Sequence, residues 1–374
     1  MPRILSFLCV FVIVPLSKIL AKVPVLFLVY NAGEGEPFRE VAKKLTVDYK
    51  IVGIGVGADK FKDDPHFVSV GEDPFGDEKS EVLTHDTDQN RDRLLKPGVV
   101  SQILELEPEV VISGMAATWQ AQILNLAHVQ GAKTVAFYDN MNGPVTEQSY
   151  VGPFLSTIQE GAVGTWLVPG DAFKVGFQGN VQALGQPVLE QWDAAFEAPK
   201  AEAQAKLGVN PNQKLLLFAG GNDATYPQYL EEMMTAVQGH EDLFLVITPH
   251  PARKDGAEDT LLAKLGNPSN IRVEREIKTV DISPFASVFA AHKSSMGAHA
   301  LSHGLPVLFV GPKAEYESLV VVGDGLGIVA ENKDEVEKSL GALLKSEQKP
   351  SLEKLGVPGN ASQAIAKFLE GLNQ

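Results

Sequence analysis

Ser287-Val-Phe-Ala-Ala-His-Lys-Ser-Ser-Met-Gly-Ala-His-Ala-Leu-Ser-His-Gly-Leu-Pro-Val-Leu-Phe-Val310 is a strand–helix–strand unit legible from residue types alone. An apolar run, Ser287–Ala290, leads through polar His292-Lys293-Ser294-Ser295 into a helical stretch, Ser295–His303, and a second apolar run, Pro306–Val310. Runs that are apolar on both faces and separated by helices indicate parallel strands covered on both sides. Ser294 and Ser295 stand where a helix start is capped or donates to an anion, and Gly297 leaves an anion room near the backbone. Gly304 closes the helix as its C′ residue, and Pro306 opens the next strand.

The same grammar extends in both directions. Upstream in this half, strands are predicted at Lys214–Phe218, Phe244–Thr248 and Ile271–Glu274, and downstream at Gly327–Val329. Helices are predicted at Pro199–Leu207, Tyr226–Gly239, Gly256–Leu265, Lys333–Lys345 and, after the turn Pro358-Gly359, Ala361–Leu372. The first half predicts strands at Val23–Tyr30, Lys50–Val56, Phe67–Val70, Glu109–Ser113, Lys133–Tyr138 and Thr165–Val168. Its helices fall at Pro37–Leu45, Leu94–Leu106, Thr118–Gln130 and Val151–Glu160, and Gly71–Arg93 reads as a long polar loop over the strand ends. No repeat of 20–50 residues is visible. The expected fold class is α/β, with two parallel-sheet domains facing a cleft. The expected boundaries are 22–185 and 186–358, with 359–374 as a helix returning toward the first domain.

With 374 residues, 32 Lys+Arg and 47 Asp+Glu, the formal charge is −15, which argues against non-specific nucleic-acid binding. The single cysteine, Cys9, excludes an intramolecular disulfide, a cysteine-based zinc site and a CxxC redox pair. Cys9 lies in the apolar run Ile4–Leu16, between Arg3 and Lys18, so residues 1–21 read as a secretory signal peptide or a short membrane anchor, with a buried core helix as the third option. Membrane association through residues 4–20, or export to the cell envelope, is the corresponding expectation.

Three strand-end loops carry candidate chemistry. Gly33-Glu34-Gly35-Glu36 follows the first strand; its glutamates oppose a phosphate, so Glu34 or Glu36 suits a base or an acceptor-side role, against the plain reading of a βα turn. Ala219-Gly220-Gly221-Asn222-Asp223 lies between the first strand and first helix of the second half, where paired glycines admit a diphosphate or simply make a tight turn. Thr248-Pro249-His250-Pro251 fixes His250 as a general acid/base or phosphate donor, with Arg253 and Lys254 as local cations in an acidic chain. His299 and His303 share a helix face, but Ala300 takes the place of the glutamate of HExxH, and no metal site is expected. Trp119, Trp166 and Trp192 read as packing residues, and Asn360-Ala361-Ser362 matches a glycosylation sequon.

Residues 184–330 resemble the C-terminal half of GT-B glycosyltransferases and of their non-hydrolysing UDP-N-acetylglucosamine 2-epimerase relatives. The resemblance rests on Leu184-Gly-Gln-Pro-Val-Leu189, Gly220-Gly221, Pro249-His250-Pro251, Ser294-Ser295-x-Gly297 and Ala300-Leu301-x-x-Gly304-x-Pro306-Val307. The His-Pro element and the Ser-Ser-x-Gly helix also resemble capsule, teichoic-acid and polysialic-acid polymerising transferases. The first half matches in layout only. The resemblance implies two Rossmann-like domains in GT-B architecture, with the donor nucleotide on the second domain and the acceptor against the first. It implies a nucleotide-sugar-dependent transfer to a cell-envelope glycan or lipid-linked acceptor, without metal or other cofactor. His250, Arg253, Ser294 and Ser295 would hold the donor, and Asp139, at the end of the fifth strand, or Glu36 would be the base.

Two departures bear on epimerisation. The relatives' His-Gly-Asp-Thr run is replaced by Ser113-Gly114-Met115-Ala116-Ala117-Thr118, and His85-Asp86-Thr87 lies in the preceding loop. The relatives' ribose-binding glutamate is replaced by His299, leaving Glu315 or Glu317 to supply that contact. An exported clamshell solute-binding protein and a catalytically inactive GT-B-like protein are the competing readings.

Overall fold

The computed structural model describes residues 22–71, 73–75, 88–141, 149–197, 207–251, 253–316, 319–323, 325–346 and 355–374. Residues 1–21, His85-Asp86-Thr87, residues 199–206 of the predicted Pro199–Leu207 helix, and Glu317 lie outside the described residues. No described helix is long and apolar enough to cross a membrane.

The first sheet contains β1 (Val25–Val29), β2 (Tyr49–Gly53), β3 (Phe67–Val68), β4 (Val110–Ser113), β5 (Lys133–Phe137), β6 (Thr165–Val168) and β7 (Val181–Ala183). Its helices are α1 (Ala32–Ala42), α2 (Asp88–Arg91), α3 (Pro97–Leu104), α4 (Thr118–Val129) and α5 (Gly152–Leu155). A connecting helix, α6 (Leu189–Glu197), leads to the second sheet: β8 (Lys214–Ala219), β9 (Leu243–Thr248), β10 (Ile271–Val273), β11 (Val288–Ala291), β12 (Val307–Val310) and β13 (Gly327–Ala330). Around it lie α7 (Tyr226–Val237), α8 (Ala257–Lys264), α9 (Thr279–Ile282), α10 (Met296–Ser302), α11 (Lys313–Tyr316), α12 (Val320–Gly323) and α13 (Lys333–Leu343), followed by α14 (Ala361–Leu372).

Strand order is β3-β2-β1-β4-β5-β6-β7 in one sheet and β10-β9-β8-β11-β12-β13 in the other, and every strand pair is parallel. The chain direction of winding therefore reverses between β1 and β4 and again between β8 and β11. Ligands of such sheets bind beyond the carboxyl ends of the strands at these reversals. Interior strands are covered on both faces: Val25–Val29 of β1 and Leu243–Thr248 of β9 are buried at every position, as two-sided parallel sheets require.

α14 returns to the first sheet, where Ile365, Ala366 and Leu369 join Val25, Phe27, Val29 and Val110 in one apolar cluster. The Thr46 amide and hydroxyl donate to Glu370 at 2.6 and 2.9 Å, and the Ser362 amide and hydroxyl donate to Glu190 on α6 at 2.8 and 2.6 Å. Of the tryptophans, Trp119 and Trp192 are buried and Trp166 packs between Phe154 and Phe177.

The structure moves one predicted boundary with consequence. Helix α1 begins at Ala32, where Pro37 had been expected to open it, so Gly33-Glu34-Gly35-Glu36 is helical. Asn31 decides this through a capping box: its side chain accepts from the Glu34 amide at 2.9 Å, and the Glu34 carboxylate accepts from the Asn31 amide at 3.3 Å. Short β7, α2, α9, α11 and α12 escape the sequence reading, because three or four residues carry no measurable period. Helix α2 lies inside the stretch Gly71–Arg93 expected as a loop, and the nine-residue α6 is also unpredicted.

Candidate active site

At the first reversal a buried carboxyl ties two strand ends together. Glu34 accepts from the amides of Tyr30 (2.8 Å) and Ala116 (2.9 Å) and from Gln120 Nε2 (3.0 Å). All its partners are donors, which favours the carboxylate, but complete burial and then the nearby Asp139 charge push its pKa up to about 8. Gly114 makes the arrangement possible, because a Cβ there would fall inside the Glu34 carboxyl group.

Asp139, just past β5, accepts a hydrogen bond from the Tyr150 hydroxyl, and its backbone carbonyl accepts one from Gln186. Burial raises its pKa to about 6, against the opposing effect of the Tyr150 bond. Gly33 gives the carboxylate its place, since a Cβ at that position would collide with Oδ2. Arg91 of α2 donates to the carbonyls of Ala116 and Tyr150 and so braces this corner.

Both carboxyls bind protons more tightly in the folded chain than in the unfolded one. Unfolding releases those protons, so stability is greatest at low pH within this window and falls as pH rises from about 4 through 6 and on toward 8. Buried neutral His299 opposes this slope below about pH 6.5, so the decline is read cleanly between about pH 6.5 and 8, where urea midpoints should fall as Glu34 ionises. A rising midpoint would contradict the burial described.

A cavity of about 230 Å³ opens between the domains, lined by Asn31, Gly33, Glu36, Asp139, Tyr150, Gln186, Ser295 and His299 among others. Its wall thus joins the first reversal to α10 of the second domain. A larger open groove, about 770 Å³, lies at the amino ends of β4 and β5, lined by Lys22, Glu109 and Lys133, where parallel sheets do not place ligands.

At the second reversal Asp223 is the hub. It accepts from the Thr225 amide and hydroxyl (2.7 and 2.5 Å) and from His292 Nε2 (2.9 Å). Burial opposes its ionisation, but Thr225, His292 and Lys293 outweigh it and hold the carboxyl below its ordinary range. Arg253 donates to the Asp223 carbonyl at 3.0 Å, lies over the Tyr226 ring at 4.9 Å, and forks onto Asp255 at 2.9 and 2.6 Å.

Matches among solved structures cover both domains at once. A UDP-GlcNAc 2-epimerase from Methanocaldococcus jannaschii aligns over 93% of this chain and 99% of its own, with 13% identity and a TM-score of 0.64. The Neisseria meningitidis UDP-GlcNAc 2-epimerase bound to UDP-GlcNAc aligns over 93% and 99%, with 14% identity and a TM-score of 0.64. CalG4, the calicheamicin glycosyltransferase, aligns over 94% and 98%, with 13% identity and a TM-score of 0.59. The chain has the GT-B fold. No protein-family model matches it, and no curated protein matches it in sequence.

Within this GT-B frame the sequence candidates fall into three groups. Asp139, Glu36, Ser295 and His299 meet at the interdomain cavity. Glu36 is bound by Arg39 at 2.6 Å and Lys60 at 2.7 Å; these cations overcome the effect of burial and keep its pKa low, which makes it a weaker base than Asp139. His299 is neutral, because burial and then His303 lower its pKa to about 3, and its Nε2 is buried with no hydrogen-bond partner. His303 is turned away from it, bonding Asp193 at 2.9 Å, so the two do not form a metal pair. Among the described residues, no group of three or more His, Cys, Asp or Glu is placed to hold a metal.

Ser294 and Glu315 line a second, smaller cavity, while Gly220, Gly221, Asn222, His250, Arg253 and Lys254 gather around β8 and β9. Their glycines answer first to packing: a Cβ on Gly220 would lie 2.8 Å from Tyr226 Oη, one on Gly221 2.6 Å from His292 Cδ2, and one on Gly297 2.5 Å from Phe309. Arg253, expected as a local cation for an anion, is already matched by Asp255; Asn222 and Lys254 are exposed. Tyr150, Gln186, Asp223, Lys293 and Arg91 were not singled out from sequence. Gln186, Asp223 and Lys293 lie within the motifs Leu184–Leu189, Ala219–Asp223 and His292–Ser295, but without a role of their own; Tyr150 and Arg91 carry no sequence signal.

Proposed function

We propose that the protein is a nucleotide-sugar-dependent glycosyltransferase acting on a cell-envelope glycan or lipid-linked acceptor. The observation that carries this reading is the meeting, at one interdomain cavity, of a raised-pKa carboxylate from the first domain and α10 of the second. UDP-GlcNAc and UDP appear in structures of the same fold, which supports a nucleotide sugar as donor. The donor's diphosphate would lie at the β8/β11 reversal, near Ser294, Ser295, His250, Lys254 and Arg253, with Glu315 toward the ribose. No cofactor beyond the nucleotide sugar is needed.

In this scheme Asp139, ionised at neutral pH, accepts the proton of the acceptor hydroxyl as that oxygen bonds to the anomeric carbon. The bond to the nucleoside diphosphate breaks at the same time, and hydrogen-bond donors of the second domain take up its charge. Tyr150 and Gln186 hold Asp139 in position. Epimerisation is less well supported, because the loop Ser113–Thr118 carries no acid; the carboxyl there is Glu34, sealed from the cavity by four N–H donors. A clamshell receptor would pass repeatedly between lobes, whereas all strands of the first sheet here precede those of the second.

Calorimetric titration with UDP, CMP, CDP and GDP is the direct test. Binding of one of them in the micromolar to millimolar range is expected; no heat from any would remove the donor site. A catalytically inactive relative would bind but never turn over. Membrane association or export is proposed through residues 4–20, and N-terminal sequencing of the mature protein tests it.

A further inference from the structure

Lys293 occupies a backbone conformation that lysine avoids, with φ at 47°. Among described residues the region is shared by Asn267 and Asn360, a residue type that tolerates it, and by Glu107, which lies in the turn before β4. Lys293 alone of these sits at a chain reversal, directly after β11. Strain of this kind persists where surrounding structure enforces it, and it clusters at ligand sites. Here the Lys293 amide donates to the Tyr316 hydroxyl at 2.7 Å, which fixes the strained turn.

The ammonium is exchangeable. Its Nζ lies 2.5 Å from Glu315 Oε2 and 3.7 Å from Asp223 Oδ2. Asp223 is already engaged by His292, whose Nδ1 faces the Val310 carbonyl at 2.6 Å while Nε2 faces Asp223 at 2.9 Å. Fully buried His292 is held between the Val310 carbonyl and Asp223, and so keeps Asp223 occupied. Glu315 is thus the main partner of Lys293. Both side chains are open to solvent, and such pairs are held weakly. A cavity of about 120 Å³ lies beside them, bounded by Lys293, Ser294, Phe309, Glu315, Tyr316 and Leu319.

We propose that Lys293 is an anion-binding residue: a diphosphate replaces Glu315 as the partner of its ammonium, and the strained backbone is retained because it sets the side chain at this cavity. The inference rests on the reading of the β8/β11 reversal as the donor site and names the group that would take the charge. Phosphate oxygens bear more charge than a carboxylate and accept from a lysine as a point cation.

Inorganic pyrophosphate and UDP, titrated calorimetrically into the full-length chain, test it without requiring the true donor. Lys293→Gly should weaken pyrophosphate about tenfold or more. It should melt no lower than wild type, because glycine relaxes the positive φ. Lys293→Met should lose the same affinity, which keeps the test sound if the glycine variant misfolds. Glu315→Gln should bind pyrophosphate more tightly than wild type, since the competing carboxylate is gone. Unchanged pyrophosphate binding by both Lys293 variants overturns the inference, as does Glu315→Gln binding it as weakly as they do. If UDP binds wild type and the Lys293 variants alike, the donor-site reading stands and the role of Lys293 falls. If wild type binds neither compound nor any nucleotide tested above, both fall.

Discussion

Asp139→Asn should lower turnover by about 10²–10⁴-fold, the usual worth of a general base, with nucleotide affinity little changed. Asparagine preserves the shape and the bond from Tyr150 while removing the proton acceptor, so the loss should appear in kcat and not in donor binding. The pH dependence carries the same signature. With its pKa near 6, Asp139 gains activity as pH rises through that value, and the acidic limb should vanish in the asparagine variant. Tyr150→Phe removes a bond that favours the carboxylate, so it should move the limb to higher pH. Equal losses in kcat and nucleotide affinity would identify Asp139 as a scaffold residue instead.

The largest stability effect should come from Glu34→Ala, at about 3 kcal/mol or more, since it strips buried amide donors of their acceptor and leaves a void. Gly114→Ala should also destabilise severely, because the new methyl occupies the volume of the Glu34 carboxyl. Combined, the two changes share one space, and their costs should fall short of additive by about 0.5–3 kcal/mol. Urea unfolding of the four proteins measures the coupling. Strict additivity would falsify the steric account.

The parallel sheets were legible because Val25–Val29 and Leu243–Ile247 are apolar without interruption, a pattern that two-sided burial demands. Helix α14 was legible to the residue, Ala361–Leu372, because its apolar face repeats through three turns. Glu34 was misleading. Glycines flank it, and flanking glycines read as a loop, but the reason for them is the tight approach of Asp139 to Gly33 and of the Gly57 carbonyl to Gly35. Such approaches are made by residues far apart in the chain. Tyr150 meets Asp139 for the same kind of reason: nothing in their local sequence encodes a contact set by the packing of α5 against α4. Asp223 and His292 lie 69 positions apart and meet only because β8 pairs with β11. A reader of sequence sees each as a strand-end polar residue, and the partnership belongs to the topology.

The return of α14 to the first sheet sets an order on how the chain is made. On the ribosome, β1 to β7 emerge before the second sheet, and the helix that covers Val25, Phe27 and Val110 emerges after it. The earlier-made half must therefore wait with an apolar face unsealed while the later half folds, a natural point for a chaperone to act. Shortening the chain before Ala361 would leave that face open for good, so a defect read at the far end would surface as aggregation of the near one.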